Sequence, residues 1–169
     1  MARPIRCWHF LPEDMRGGYG SEPPWHDGET REVEGPPRMC AYGYHGSRCI
    51  IDALAYTRGP IICRVDIDGD VLTDTDKIVG RRRKLLWHLG TASSERILHE
   101  FACWCAERAL RRERRADREP DERSWGAIEA KRQWLLGEIT NEELAAASDA
   151  ARAAQERKLL RMIMAARRR

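Results

Sequence analysis

Polar and apolar residues alternate through much of the first half of this chain, and apolar residues recur at helical spacing in the second. Residues 5–11 (IRCWHFL) read as a first strand, with Trp8 and Phe10 at alternate positions from His9. Residues 61–67 are the clearest strand. Ile61, Cys63, Val65 and Ile67 share one face, and Ile62, Arg64 and Asp66 share the other. Asp68-Gly69 then marks a tight turn. Shorter strands are expected near 31–33, 42–45, 71–72, 78–79 and 85–89. Residues 49–56 fit a two-turn helix with Ile50, Ala53 and Leu54 on one face, stopped by Arg58-Gly59-Pro60. Residues 12–38 hold five prolines and repeated glycine, which predicts a long irregular connection.

Three helices are expected after residue 90. The first covers about 93–115, with Ser93 as N-cap and Ile97, Phe101, Trp104, Cys105 and Ala109 at helical spacing. The second covers 124–136 before Gly137. The third covers 140–167 and opens on the capping box Thr140-x-x-Glu143. Its end, LLRMIMAARRR, joins an apolar cluster to a basic terminus. The fold class is therefore α+β. The expectation is a small mixed β-sheet domain over 1–90 packed against a C-terminal three-helix unit over 91–169.

Composition narrows the function classes. No run of about 18 apolar residues exists and no signal-peptide pattern opens the chain, so the expectation is a cytoplasmic protein with no membrane partner. Six cysteines without an export signal read as reduced thiols. The net charge of +3 is too small to imply nucleic acid by itself, and all of the excess lies beyond residue 90.

Candidate chemistry is sparse. Cys40, His45 and Cys49 have loosely metal-like spacing but lack a CxxC pair, so ordinary thiols and a turn histidine are the simpler reading. Asp66, Asp68, Asp70, Asp74 and Asp76 form an acidic cluster without an EF-hand pattern, which fits a solvated turn. Arg81, Arg82 and Arg83 form a basic run that could grip phosphates or a partner protein. Trp8, Trp87, Trp104 and Trp134 fit core positions. Trp25, beside Pro24 in the long connection, is the tryptophan expected at the surface for a partner. Leu160, Met164 and Arg167 are the expected contacts of the terminal helix.

Three blocks carry a resemblance. They are CWHFL at 7–11; CAYGYHGS at 40–47 with DALAY at 52–56 and CRVDIDG at 63–69; and EFACWCAER at 100–108, followed by AIEA at 127–130, Trp134-x-x-Gly137 and an Ala-rich helix. Over residues 5–155 the chain resembles a family of small phage and bacterial proteins, some of which carry the label of an immunity protein. Residues 43–69 are also similar to the central part of ADP-ribosyltransferases, where strand, helix and strand line an NAD pocket. That second resemblance implies that His45 or Tyr56 touches the nicotinamide half of NAD. No catalytic Glu follows on a later strand, and an upstream Arg- or His-Gly-Thr motif is not evident unless His9 replaces it.

Taken together, these readings give a non-enzymatic cytoplasmic inhibitor of phage or mobile-element type. It would bind a host defence or toxin protein by surface occlusion, need no cofactor, and self-associate through the C-terminal helix. The alternatives are an NAD-binding transferase using His45 and Tyr56, and a nucleic-acid-binding accessory protein.

Overall fold

The computed structural model describes residues 3–17 and 22–167, apart from the side chains at 165 and 167. The chain forms two compact units, Met1–Glu95 and Arg96–Arg169.

The first unit contains seven strands and one short helix: β1 (Ile5–Leu11), β2 (Thr30–Glu32), β3 (Tyr44–Gly46), α1 (Ile50–Leu54), β4 (Ile61–Asp68), β5 (Leu72–Thr73), β6 (Ile78–Gly80) and β7 (Arg82–His88). They form two sheets, ordered β1-β4-β7-β2 and β3-β6-β5. Every strand pairing is antiparallel. Period-2 alternation sets the inner face of the larger sheet. Cys7, Leu11, Cys63, Val65, Ile67 and Leu85 meet Tyr44 and Ile78 in one core. Each fully buried Ile or Leu contributes on the order of 2 kcal/mol through the apolar surface it removes from water. The opposite face carries polar ladders. Arg6 pairs with Asp66 at 2.6 Å, Trp8 meets Trp87 edge-on at 5.9 Å, and the Arg64 guanidinium lies 4.2 Å over the Trp8 ring.

Two glycines let the smaller sheet approach the larger one. A Cβ on Gly46 would sit 2.9 Å from Cys7 Cβ and Ile67 Cδ1; on Gly80 it would sit 2.6 Å from the Asp68 carbonyl oxygen and from Ile67 Cγ2. Because the Asp68 obstacle is backbone, Gly80→Ala should cost roughly 1–3 kcal/mol of stability, read as a lower urea midpoint with unchanged slope. An unaltered midpoint would mean that the sheets are not packed this closely.

Helix α2 (Thr91–Arg115) starts two residues earlier than expected, so Ser93 is inside it rather than its N-cap. The neighbouring serine is the structural one. Buried Ser94 accepts from the Ile62 N–H at 3.2 Å and donates to the Leu89 carbonyl at 3.1 Å, which ties the helix start to β4. The predicted apolar stripe of α2 is not its buried face: Ile97, Phe101 and Trp104 are exposed. The face that meets α3 (Glu122–Leu136) is His99, Cys103 and Glu107, spaced i, i+4, i+8. His99 packs edge-on against Trp134, and Glu107 bonds Arg132 at 2.5 Å. Asp121 caps α3 by accepting from the Arg123 N–H, and Gly137 ends it at φ 75°, where a side chain would be strained. The capping box of α4 (Asn141–Arg167) is formed: Glu143 N–H donates to Thr140 Oγ1, and Thr140 N–H to the Glu143 carboxylate. Burial on α4 stops at Ala151 and Ala154, and the described side chains from residue 155 onward are exposed. No helix among the described residues is long and apolar enough to cross a membrane.

Candidate functional site

Strand β1 is a terminal strand of the larger sheet, and its outer edge is met by Ser47 just after β3. Trp8 N–H donates to the Ser47 carbonyl at 2.7 Å, and Ser47 N–H returns a bond to Trp8 at 3.0 Å. That junction brings β1, β3 and α1 around a cavity of about 320 Å³. His9 and Phe10 line it from β1, Tyr44 and His45 from β3, Ala53 from α1, Tyr56 from the turn after α1, and Arg83 from β7. Arg16, Arg58 and Lys77 add positive charge. Glu22 is the one carboxylate among the described lining residues.

The inner position of two polar side chains follows from strand parity. His9 is in phase with Cys7 and Leu11, and Arg83 is in phase with Leu85, so both point toward the core side of the sheet. Arg83 is only 4 % exposed. Its guanidinium lies 4.4 Å from the Trp25 ring and 4.9 Å from the Tyr44 ring. Its hydrogen bond, to the His45 carbonyl, is long at 3.5 Å. Among the described residues no carboxylate comes within ion-pair distance of it. Arg31 is the contrast. It lies over the same Trp25 ring, but Glu29 takes it at 2.6 Å and the carbonyls of Pro23 and Pro24 accept its remaining donors. Desolvation pulls the Arg83 pKa down to about 10, partly offset by Tyr44, Cys63 and the Glu22 carboxylate, so it stays charged at neutral pH.

His9 is the second open group. Desolvation first, then the charges of Arg83, His45 and Arg58, hold its pKa well below 6.5. It is a neutral imidazole, and neither ring nitrogen has a hydrogen-bond partner among the described residues. His45 is different. Its Nε2 accepts from the Cys40 N–H at 3.1 Å and its Nδ1–H donates to the Gly43 carbonyl at 3.1 Å. Both nitrogens are occupied by backbone, so His45 braces the turn and has no free lone pair to act as a base. Burial lowers its pKa as well. Tyr56 lines the mouth. Its hydroxyl donates to Asp76 at 2.5 Å, and the Lys77 ammonium lies 4.5 Å over its ring. Tyr44 donates to Glu22 Oε1 at 3.1 Å, and burial, aided by that carboxylate, pushes the phenol pKa up to about 12. Such a chamber can hold an anion at Arg83, offer a hydrogen bond from neutral His9, and pack a ring against aromatic walls.

No protein-family profile, curated protein or solved structure matches the chain.

The remaining sequence candidates are dispersed. Cys40, His45 and Cys49 do not assemble, and no three His, Cys, Asp or Glu side chains among the described residues converge as a metal set. The acidic cluster is used pairwise: Asp66 by Arg6, Asp68 by Arg82, Asp70 by Arg81 and Asp76 by Tyr56. The basic run is not a surface patch either. Arg81 binds Glu32 at 2.6 Å, Arg82 binds Asp68 at 2.5 Å, and Arg83 turns inward. Trp25 is 2 % exposed instead of presented to a partner, because it packs edge-on against Tyr44 and carries two guanidinium groups. Trp87 and Trp104, expected in the core, are exposed. Leu160 and Met164 are exposed on α4, and the side chain of Arg167 lies outside the described residues. Burial pushes the Cys7 and Cys63 thiols up to about 11 and 12, which removes them as nucleophiles.

Both cavity histidines bind protons more weakly folded than unfolded, where the ordinary value is 6.5. As pH falls below that value the unfolded chain takes up protons first, so stability that is complete above it is lost progressively below. Urea midpoints of the protein should therefore fall between about pH 7.5 and about pH 5. In the His9→Phe variant the fall should be smaller. Equal slopes for the two proteins would show that His9 is solvated.

Proposed function

We propose that the N-terminal unit is a receptor for a small anionic ligand carrying a ring, of the nucleotide class. One observation carries this reading: Arg83 is a buried, charged guanidinium at the wall of a cavity, and among the described residues no carboxylate, Glu22 included, comes within ion-pair distance of it. A buried cation without a partner is costly unless something else supplies the negative charge. The volume of about 320 Å³ lies at the lower end of ligand clefts, commonly about 300–1,000 Å³. It suits a mononucleotide or one half of a dinucleotide such as NAD. The reading is one of binding without transfer. His45 is spent on backbone. Glu22 already accepts from Tyr44, and its other oxygen lies 3.6 Å from Arg31. A reduced, cytoplasmic setting belongs to this reading and is supported by six free thiols.

The test is calorimetric titration with nucleoside monophosphates, NAD and the matching uncharged nucleosides. Phosphorylated ligands should bind and nucleosides should not. Equal affinity for the two would remove the anion site, and no binding by any of them would remove the nucleotide class. Slow consumption of NAD that His45→Ala abolishes would restore the transferase alternative.

A second reading is favoured by a separate observation, the exposed apolar side chains of Ile97, Phe101 and Trp104 on α2. In it the chain is an inhibitor of phage type that covers a host defence or toxin protein. Pull-down of one host protein, lost in Trp104→Asp with the melting temperature unchanged, would support it.

A further inference from the structure

The last part of α4 is built unlike the rest of the helix. Its packed part ends at Ala154, and α4 is 27 residues long against 15 for α3. At 1.5 Å per residue α4 outruns its partner by roughly 18 Å. On that overhang Leu159, Leu160, Met162, Ile163 and Met164 are each about half exposed or more. From Arg157 to Arg169 the sequence holds six cations and no acidic residue.

The two sets separate around the helix. At about 100° per residue, Met162, Leu159, Ile163, Leu160 and Met164 fall within an arc of about 200°. Arg157, Arg161 and Lys158 fill the opposite side, whereas position 167, one turn beyond Met164, returns to the apolar arc. Over residues 157–164 this is an apolar face with cations along its border, and none of the described residues buries it.

We infer that residues 157–164 of α4 are a docking surface for an anionic lipid bilayer, lying in the plane of the headgroups. Charge and shape argue for this occupant over three others. A second copy on this face would bring Arg157, Lys158 and Arg161 close to their own copies, with no acidic residue from 157 to 169 in the sequence to offset them. A protein groove takes a helix by a narrow i, i+3, i+4, i+7 stripe, whereas the neighbours Leu159 and Leu160 help make this face more than half the circumference. Nucleic acid would use the cations and leave five large apolar side chains in water. A bilayer uses both: acyl chains accept the broad apolar arc, and anionic headgroups meet Arg157, Lys158 and Arg161 at its border. The expectation of no membrane partner rested on the lack of a spanning segment, and an interfacial helix needs none.

Co-sedimentation of the full chain with vesicles of phosphatidylcholine alone, and with phosphatidylglycerol added, tests the inference. The protein should pellet with the anionic vesicles at about 0.1 M salt and not with the neutral ones, and binding should fall as salt rises. Joint Arg157→Glu, Lys158→Glu and Arg161→Glu substitution should weaken it by at least roughly 100-fold, at about 1 kcal/mol per basic residue. Ile163→Asp should abolish it, and because Ile163 is exposed the melting temperature should not move. No pelleting with anionic vesicles overturns the inference, as does equal pelleting with both kinds. An oligomer in lipid-free buffer that Ile163→Asp dissolves would give the surface to a second copy. Duplex binding untouched by Ile163→Asp would give it to nucleic acid. Pull-down of a single acidic protein without vesicle binding would give it to a protein groove.

Discussion

Arg83→Met should weaken binding of the anionic ligand by at least about 30-fold while leaving the fold as stable as before, or more stable by up to about 2 kcal/mol. The two effects have opposite signs because Arg83 is in the core for its charge. Methionine keeps the length of the chain and can remain against Trp25 and Tyr44. What is lost is a pair of cation–π contacts, each on the order of 1 kcal/mol. What is removed is the desolvation of an unpaired guanidinium, which is of several kcal/mol. Calorimetry for affinity and urea unfolding for stability separate the outcomes. A stability loss above about 2 kcal/mol with unchanged affinity would make Arg83 a structural strut and end the receptor reading.

Trp25→Ala should cost about 3–5 kcal/mol, because a large aromatic leaves a space its neighbours cannot close. In a unit of fewer than about 100 residues that lowers the melting temperature by well over roughly 10 °C. The site should be lost with it, since the guanidinium groups of Arg83 and Arg31 both lie against the Trp25 ring, which meets Tyr44 at 5.4 Å. A tryptophan reserved for a partner would behave in the opposite way, with an unchanged melting temperature and weaker partner binding. Differential scanning calorimetry of the single variant distinguishes the two. Trp25→Phe, which retains a ring for the guanidinium groups, should recover more than half of the loss.

Strand alternation in IRCWHFL and IICRVDID was enough to find β1 and β4, and their inner residues are the core. The capping box at Thr140 located the start of α4. The cavity was harder to read, because it is assembled from segments up to some seventy residues apart in sequence. Two signals were still present. His9 and Arg83 each hold a parity otherwise occupied by core residues, and a polar residue in phase with the core is a functional hint at sequence level. Reading 81–83 as one basic run hid this, since adjacent strand residues point to opposite faces. Trp25 is buried against expectation because the proline-rich segment, whose composition suggests exposure, folds back on β7: Gly28 N–H donates to the Leu85 carbonyl at 2.7 Å. The stripe of α2 was misplaced for a different reason. Helical periodicity shows that a face is apolar, but α3 meets the face where Glu107 holds Arg132.

The distribution of sulfur divides the chain by its response to oxidants. Cys7 and Cys63 are sealed within the sheet core with their pKa values raised, and Cys103 is buried at the face of α2 that meets α3. Peroxide or a disulfide in solution therefore finds only Cys40, Cys49 and Cys105. Of these, Cys40 is at the rim of the cavity, where its N–H holds His45 in place. An adduct on its sulfur would crowd the cavity while the core stayed reduced, so under the receptor reading proposed above oxidative damage would register first as lost ligand binding and only later as unfolding.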